Sequence, residues 1–266
     1  DTDPFRAVLL HPQKETEWSQ ITALTRQGGT QTFDRFADLP EREGTWAHFP
    51  WRNTLVHLPQ EEAFIRARTE RNLYKITQAE QDFLRTKRIG VVGLSVGHSV
   101  CLTLALERVA GHLRIADHDS MSLSNLNRVR TGVFNIGVKK AVITAREIAE
   151  LDPFIDVKIF NDGLSLQNIE RFLLEDGRLD IVIDECDDIE MKLALRAAAR
   201  KLGIPVVMET SEGGVLDIER FDLEPARPFF HGLLNDFEGA SLSDLSAEEK
   251  IPHAIQILGG PENIST

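Results

Sequence analysis

The sequence predicts an α/β chain: a Rossmann-like, mostly parallel sheet with helices on both faces, preceded by a mainly helical or irregular N-terminal segment. Three observations carry this expectation. Five short apolar runs recur after Arg88, at Ile89–Val92, Leu113–Ala116, Val157–Phe160, Leu179–Ile183 and Pro205–Met208. Stretches with helical periodicity lie between them. A glycine-punctuated turn, Gly93-Leu94-Ser95-Val96-Gly97, follows the first run where a strand should turn into its helix. Strands that alternate with helices build a parallel sheet covered on both faces.

Taken in order, residues 1–70 form a segment separate from a main domain over 71–266. Within the first segment Glu15–Leu24 reads as a helix broken by Gly28-Gly29-Thr30. Trp46–Pro59 is aromatic-rich and interrupted by Pro50 and Pro59, which predicts an irregular stretch packed on something larger. Glu61–Leu73 reads as helix. Thr77-Gln78-Ala79-Glu80 fits a capping box that opens a short helix ending near Thr86. Val138, Ala141, Val142, Ala145, Ile148 and Ala149 recur at helical steps and form one apolar face. Ser165 is placed to cap a helix that buries Ile169, Phe172 and Leu173 and stops at Gly177. Another helix spans Ile189–Leu202, with Gly203 as its stop. Asp217–Phe221 reads as a further strand, and Leu223–Gly260 is loop-rich, with Pro225, Pro228 and Pro252.

Composition narrows the function. The 266 residues are 42% hydrophobic, enough for a full core. A net charge of -12 argues against nucleic acid as the main partner, because phosphate-backbone binding needs clustered Lys and Arg. No apolar run reaches the ~18 residues of a membrane span. The start, Asp1-Thr2-Asp3-Pro4, lacks signal-peptide character and an initiator Met, so an excised piece of a longer protein is expected, continuing past Gly260. Two cysteines cannot build a disulfide framework or a four-cysteine zinc site, and they point to the reducing cytoplasm.

The most informative stretch is Asp117-His118-Asp119-Ser120-Met121-Ser122-Leu123-Ser124-Asn125-Leu126-Asn127-Arg128, directly after an apolar run. In a parallel sheet the C-terminal strand ends share one edge. That edge would gather the Gly93–Gly97 turn, Asp117, Asn125, Arg128, Lys140 and Asp187. An acid can accept ribose hydroxyls, Asn125 offers a neutral amide, and Arg128 carries a permanent forked cation. A second cation and an acid suited to Mg²⁺ complete a set that fits the triphosphate of ATP, attacked at its α-phosphorus. Each has a plainer reading. Lys140 stands beside Lys139, a pair typical of a solvated helix face, and Asp187 could be an acidic cap on the next helix.

Gly93–Gly97 also matches G-x-S-x-G, the nucleophile elbow of α/β hydrolases, with Ser95 as nucleophile, Asp184 or Asp187 as acid and His231 or His253 as base. Against it, the turn follows the first strand of the sheet rather than a later one, and no His-Gly-Gly segment precedes it. An NAD oxidoreductase would leave Arg128, Lys140 and Asp187 without a joint role.

From about Arg71 to Leu223 the chain resembles the ThiF/MoeB/ubiquitin-activating adenylyltransferase family. The resemblance rests on Asp117-x-Asp119, Ser124 to Arg128, Gly137-Val138-Lys139-Lys140 and Asp184-Glu185-Cys186-Asp187. It implies that Asp117 holds the ribose, that Asn125, Arg128 and Lys140 hold the phosphates, and that Asp187 binds Mg²⁺. It further implies that an Arg preceding the first strand, here Arg71 with Lys75 behind it, reaches the γ-phosphate from a partner subunit of a homodimer. The family activates a C-terminal carboxylate, often that of a ubiquitin-like or sulfur-carrier protein, as an acyl-adenylate with release of pyrophosphate. This chain departs from the pattern in three ways. Ser95 and His98 replace glycines of G-x-G-x-x-G, no Cys-x-x-Cys is present, and no cysteine follows Cys186. Adenylation without a thioester step in this chain is therefore expected, with a non-catalytic nucleotide-binding or partner-binding relative as the alternative.

Overall fold

The computed structural model describes residues 5–26, 29–34, 36, 38–210, 215–233, 252, 253, 255, 257 and 260. In chain order the elements begin with β1 (Val8–Leu10), α1 (Glu15–Arg26), β2 (Gln31–Asp34), β3 (Thr45–Phe49), β4 (Thr54–Leu58), α2 (Glu61–Thr69) and α3 (Gln78–Arg85). Next come β5 (Arg88–Val92), α4 (Gly97–Glu107), β6 (His112–Ala116), α5 (Lys140–Leu151), β7 (Asp156–Phe160) and α6 (Ile169–Leu174). The last are β8 (Ile181–Asp184), α7 (Ile189–Leu202), β9 (Val206–Glu209) and β10 (Leu216–Glu219). They group into two compact units. The first comprises Asp1–Thr86, Leu102–Gly111 and Thr144–Val157; the second comprises Lys87–Cys101, His112–Ile143 and Lys158–Thr266.

The first unit corrects the expectation of a helical or irregular start. It holds a four-stranded sheet in the order β1-β3-β4-β2, with β3 and β4 antiparallel and β2 parallel to β4. Pro50 opens a 3-10 turn between two strands, and Asn53 closes it in the left-handed region at φ 47. Leu10, Ile21, Trp46 and Leu55 form one cluster, and Ala47, Phe49, Leu58 and Ala149 another. Trp46 stacks on the buried His57 ring at 4.4 Å. The helix expected over Glu15–Leu24 is α1, while Gly28, its expected breaker, lies outside the described residues. Helix α2 is shorter than the Glu61–Leu73 reading, because Glu70–Tyr74 tightens into a 3-10 turn. Thr77 and Glu80 form the capping box of α3.

The second unit holds the expected Rossmann-like sheet. Its six strands run β10-β9-β8-β5-β6-β7, with β9, β8, β5 and β6 parallel and β10 antiparallel on β9. The core gathers Phe160, Phe172, Leu173, Val182, Leu195 and Val206, among others. Gly90 is required inside β5, since a Cβ there would meet Leu179 Cδ1 at 2.6 Å and Phe172 Cε1 at 3.0 Å. Helix α7 ends at Gly203, in the left-handed region at φ 62. Ser165 is not the cap of α6. Its N–H donates to Asn168 Oδ1 at 2.7 Å, and Asn168 stands at the cap position. The strand expected over Asp217–Phe221 is β10, and its alternation is inverted: Leu216 and Ile218 are exposed while Asp217 and Glu219 are buried. Of the loop-rich C-terminal stretch, residues 234–251 lie outside the described residues. No described helix is long and apolar enough to cross a membrane.

Candidate active site

Val92 at the end of β5 pairs with Ala116 of β6 on one side and Asp184 of β8 on the other. The chain leaves all three strands at this edge. Gly93 N–H donates to Ala116 O at 2.9 Å, and Glu185 N–H donates to Val92 O at 2.8 Å. A cavity of about 310 Å³ opens here, lined among others by Gly93, Ser95, Asp117, Asp119, Lys140 and Asp187. Six positions predicted for the site thus border one space.

Gly93 sits at φ 85, and a Cβ on it would lie 2.5 Å from Glu185 O. Gly97 opens α4, and a Cβ there would lie 2.8 Å from Val91 Cγ1. Gly97 therefore permits close helix–strand packing and is not among the lining residues. Asp117 is fixed by main chain, accepting Leu94 N–H at 2.7 Å on Oδ2 and Asp119 N–H at 2.7 Å on Oδ1. Lone pairs remain on both oxygens for further donors. Lys140 is the first residue of α5 and is only 5% exposed. Its Nζ donates to Asp119 Oδ2 at 2.9 Å and to Ser95 Oγ at 3.1 Å. A solvated face does not describe it. The Lys140 hydrogen bond holds the Asp119 carboxyl below its ordinary value.

Other predicted residues lie apart from the cavity lining. Asn125 is buried in the 3-10 turn Leu123–Asn127, where its Oδ1 accepts Ser122 N–H and Ser122 Oγ–H, both at 3.0 Å. Arg128 follows that turn, is exposed, and donates to Asn127 Oδ1 at 3.0 Å. Arg71 is exposed on the Glu70–Tyr74 turn of the first unit, and Lys75 there pairs with Glu107 at 3.0 Å.

Asp187 and Asp188 are readily confused in sequence. Asp188 is the cap of α7, accepting Glu190 N–H at 2.9 Å and Met191 N–H at 3.4 Å. Asp187 is exposed at the cavity and is not the cap. Asp187, exposed in the same lining as Asp117 and Asp119, offers a carboxylate of the kind that would hold a hard divalent cation.

Two titratable residues, Glu185 and His118, are among the lining residues that the sequence reading gave no site role. Glu185, directly after β8, is half-buried, and burial pushes its carboxyl up to about 7. Its Oε1 accepts Glu209 N–H at 3.3 Å. Its position one step past a strand end, as for Asp117 after β6, was the available signal. His118 is the second, with donor atoms of Asp117, His118 and Asp119 all within 4.8 Å of one another.

Two of the residues named for the hydrolase elbow, Asp184 and His231, are engaged elsewhere. Ser95 Oγ accepts from Lys140, Asp184 is fully buried against Arg196 at 2.5 Å, and His231 is engaged by Asp217 and Arg227. Neither cysteine is poised as a nucleophile. Cys101 is buried, and Cys186 donates its thiol to Asp184 Oδ1 at 3.0 Å. Burial pushes both thiols up, and Asp184 adds to the effect at Cys186.

Comparison with known proteins bears on this geometry. The sequence matches the model of the ThiF family over residues 68–258. An uncharacterized protein of Mycobacterium tuberculosis is 49% identical over 221 residues, covering 83% of this chain and 30% of that protein. tRNA threonylcarbamoyladenosine dehydratase 2 of Saccharomyces cerevisiae is 29% identical over 148 residues, covering 55% of this chain and 33% of the relative. The chain spans about a third of the length of these curated relatives. Among solved structures, E. coli tRNA N6-threonylcarbamoyladenosine dehydratase, TcdA, in complex with ATP, aligns at TM-score 0.52 and 25% identity, covering 56% of this chain and 62% of that one. E. coli MccB, with AMPCPP and MccA, shares the fold at TM-score 0.50 and 18% identity, covering 56% of this chain and 46% of that one. The family match takes in every strand of the six-stranded sheet, and this chain belongs to the ThiF family.

Proposed function

We propose that the chain is an ATP-dependent adenylyltransferase that activates a carboxylate as an acyl-adenylate and releases pyrophosphate. The observation that carries this reading is Lys140, a nearly buried cation held between Asp119 and Ser95 beside the backbone-fixed Asp117. A carboxylate that approaches a triphosphate meets a polyanion, so preorganised positive charge is the main requirement of the reaction. The similar TcdA structure contains ATP, in keeping with a nucleotide at this edge.

On this reading Asp117 accepts the ribose hydroxyls, and Lys140 holds the phosphates together with Asn125 and Arg128. Asp187 holds Mg²⁺, which when bound lowers the charge that the incoming carboxylate meets. Arg71, with Lys75 behind it, reaches the γ-phosphate from a second copy in a homodimer. Residues 1–70 and the region after Leu223 choose the acceptor, and the remainder of a 71–266 domain binds the nucleotide. The acceptor is the C-terminal carboxylate of a protein, of the ubiquitin-like or sulfur-carrier kind. Similarity to a Culex quinquefasciatus ubiquitin-like modifier-activating enzyme 5, 26% identical over 136 residues and covering 47% of this chain and 34% of that protein, supports that choice. Two free cysteines suit work in the cytoplasm.

ATP–pyrophosphate exchange across carboxylates and carrier proteins tests the proposal, with thermal melting in Mg·ATP as its companion. Saturating nucleotide at about a hundred times Kd stabilises the folded chain by about 2.7 kcal/mol. No shift at millimolar ATP overturns the reading, and a shift without exchange makes the chain a non-catalytic relative. Arg128→Ala should abolish exchange with the fold intact; exchange that survives removes Arg128 from the site.

A further inference from the structure

Arg196, on α7, is fully buried and touches three carboxylates. Nη1 lies 2.5 Å from Asp184 Oδ2, Nε 2.5 Å from Glu219 Oε2, and Nη2 3.5 Å from Asp217 Oδ2. The guanidinium also lies 3.9 Å over the Phe230 ring. Burying a charge this deeply is unfavourable unless its partners are held in place. The inverted alternation of β10 follows from it, because Asp217 and Glu219 turn inward to meet the cation. Phe230 and His231 are consecutive non-glycine residues in the left-handed region, at φ 49 and 55. Such a conformation persists where its surroundings over-determine it. Here Phe230 N–H donates to Glu219 Oε1 at 2.7 Å while its ring lies under Arg196.

Asp184 carries this network to the cavity. It ends β8 and is fully buried. Its Oδ1 accepts Cys186 N–H at 3.3 Å and the Cys186 thiol at 3.0 Å, and Lys192 Nζ lies 3.3 Å away. The next four residues, Glu185 to Asp188, all line the cavity. The carboxylate that shapes the start of this loop is thus clamped from behind by one guanidinium.

We propose that Arg196 is a positioning residue that fixes the Glu185–Asp187 loop through Asp184, and so sets how tightly the cavity grips Mg·ATP. This rests on the reading of the cavity as a Mg·ATP site. Arg196 touches neither nucleotide nor metal in this role. Its planar fork spans three acids at once, which a lysine ammonium cannot do. Partners one step behind a metal-binding carboxylate commonly change affinity by about 10–100-fold when lost.

The test compares the whole chain with its Arg196→Lys variant in two measurements. Amide hydrogen exchange of the nucleotide-free protein should show residues 185–188 at least tenfold less protected, with β5 and β6 unchanged. The KM for Mg·ATP in pyrophosphate exchange should rise about tenfold or more, with a smaller change in kcat. Wild-type protection at 185–188 together with a KM within twofold of wild type overturns the proposal. Should Arg196→Lys fail to fold, Asp184→Asn decides, since it leaves two carboxylates facing two cations, Arg196 and Lys192. The same loss of protection and the same KM rise are expected there, and their absence overturns the proposal. Wild-type protein without any exchange sinks the adenylation reading instead, and the amide measurement still decides whether Arg196 holds the loop.

Discussion

Lys140 Nζ lies 2.9 Å from Asp119 Oδ2, so the acid two residues past Asp117 holds a nearly buried ammonium at the cavity wall. Asp119 and Ser95 Oγ together fix where the ammonium points. Lys140→Met should lower pyrophosphate exchange about a hundredfold to a thousandfold, the usual cost of losing one preorganised charge-stabilising group. The chain should stay folded by circular dichroism. Exchange within a few-fold of wild type removes Lys140 from the reaction.

Asp187 and Asp188 should separate cleanly by mutation. Asp188→Ala removes the α7 cap and should destabilise the fold by about 1 kcal/mol in urea melts. Asp187→Asn should leave stability unchanged and raise the Mg²⁺ needed for half-maximal exchange by about tenfold or more. The opposite pattern would show that their roles had been exchanged.

Glu219 gives the fold a pH signature. Burial raises its carboxyl above the ordinary 4.5, and this outweighs the lowering by Arg196. Three carboxylates face Arg196 and Lys192, and Asp217 beside Glu219 pushes in the same direction as burial. Above 4.5 the unfolded chain releases this proton while the folded chain retains it, so the stability tied to Glu219 falls as pH rises through that window. Glu219→Gln should flatten the decline. Melting temperatures from pH 4.5 to 8 for the two proteins check it, and parallel curves refute it.

The thiols should be dispensable. A Cys101→Ala, Cys186→Ser double variant should keep exchange within about threefold of wild type, because neither sulfur is an available thiolate. Ser at 186 can still donate to Asp184. Loss of exchange in a folded double variant would return a covalent cysteine step to the chemistry.

Much of the second unit was legible because its central strands are buried on both faces. Such strands appear as unbroken apolar runs, as in Ile89–Val92 and Leu113–Ala116. Strand β10 was legible only as a short run, since its inward residues are acids that make sense once Arg196 is seen beneath them. The first unit was opaque for similar reasons. Strand β1 has three residues, β2 reads Gln-Thr-Phe-Asp, and buried Thr45 and His57 interrupt the apolar pattern. Pro50, taken as a breaker, is the turn that lets β3 and β4 pair. At the candidate site, residue types and order singled out Asp117, Lys140 and Asp187, which border one cavity. Only atomic distances distinguish which of two adjacent acids caps a helix, or show that Asn125 Oδ1 is occupied by Ser122.

Gly93 and Glu185, just past the parallel neighbours β5 and β8, meet so closely that this floor of the cavity is made of peptide groups with no space for a side chain. Peptide geometry is common to every sequence that folds this way, so that floor offers no handle for tuning selectivity by substitution. Elsewhere in the lining, His118, Glu185 and Met191 present side chains that substitution can change. Libraries aimed at altered nucleotides are best confined to those three positions, with the glycine left untouched.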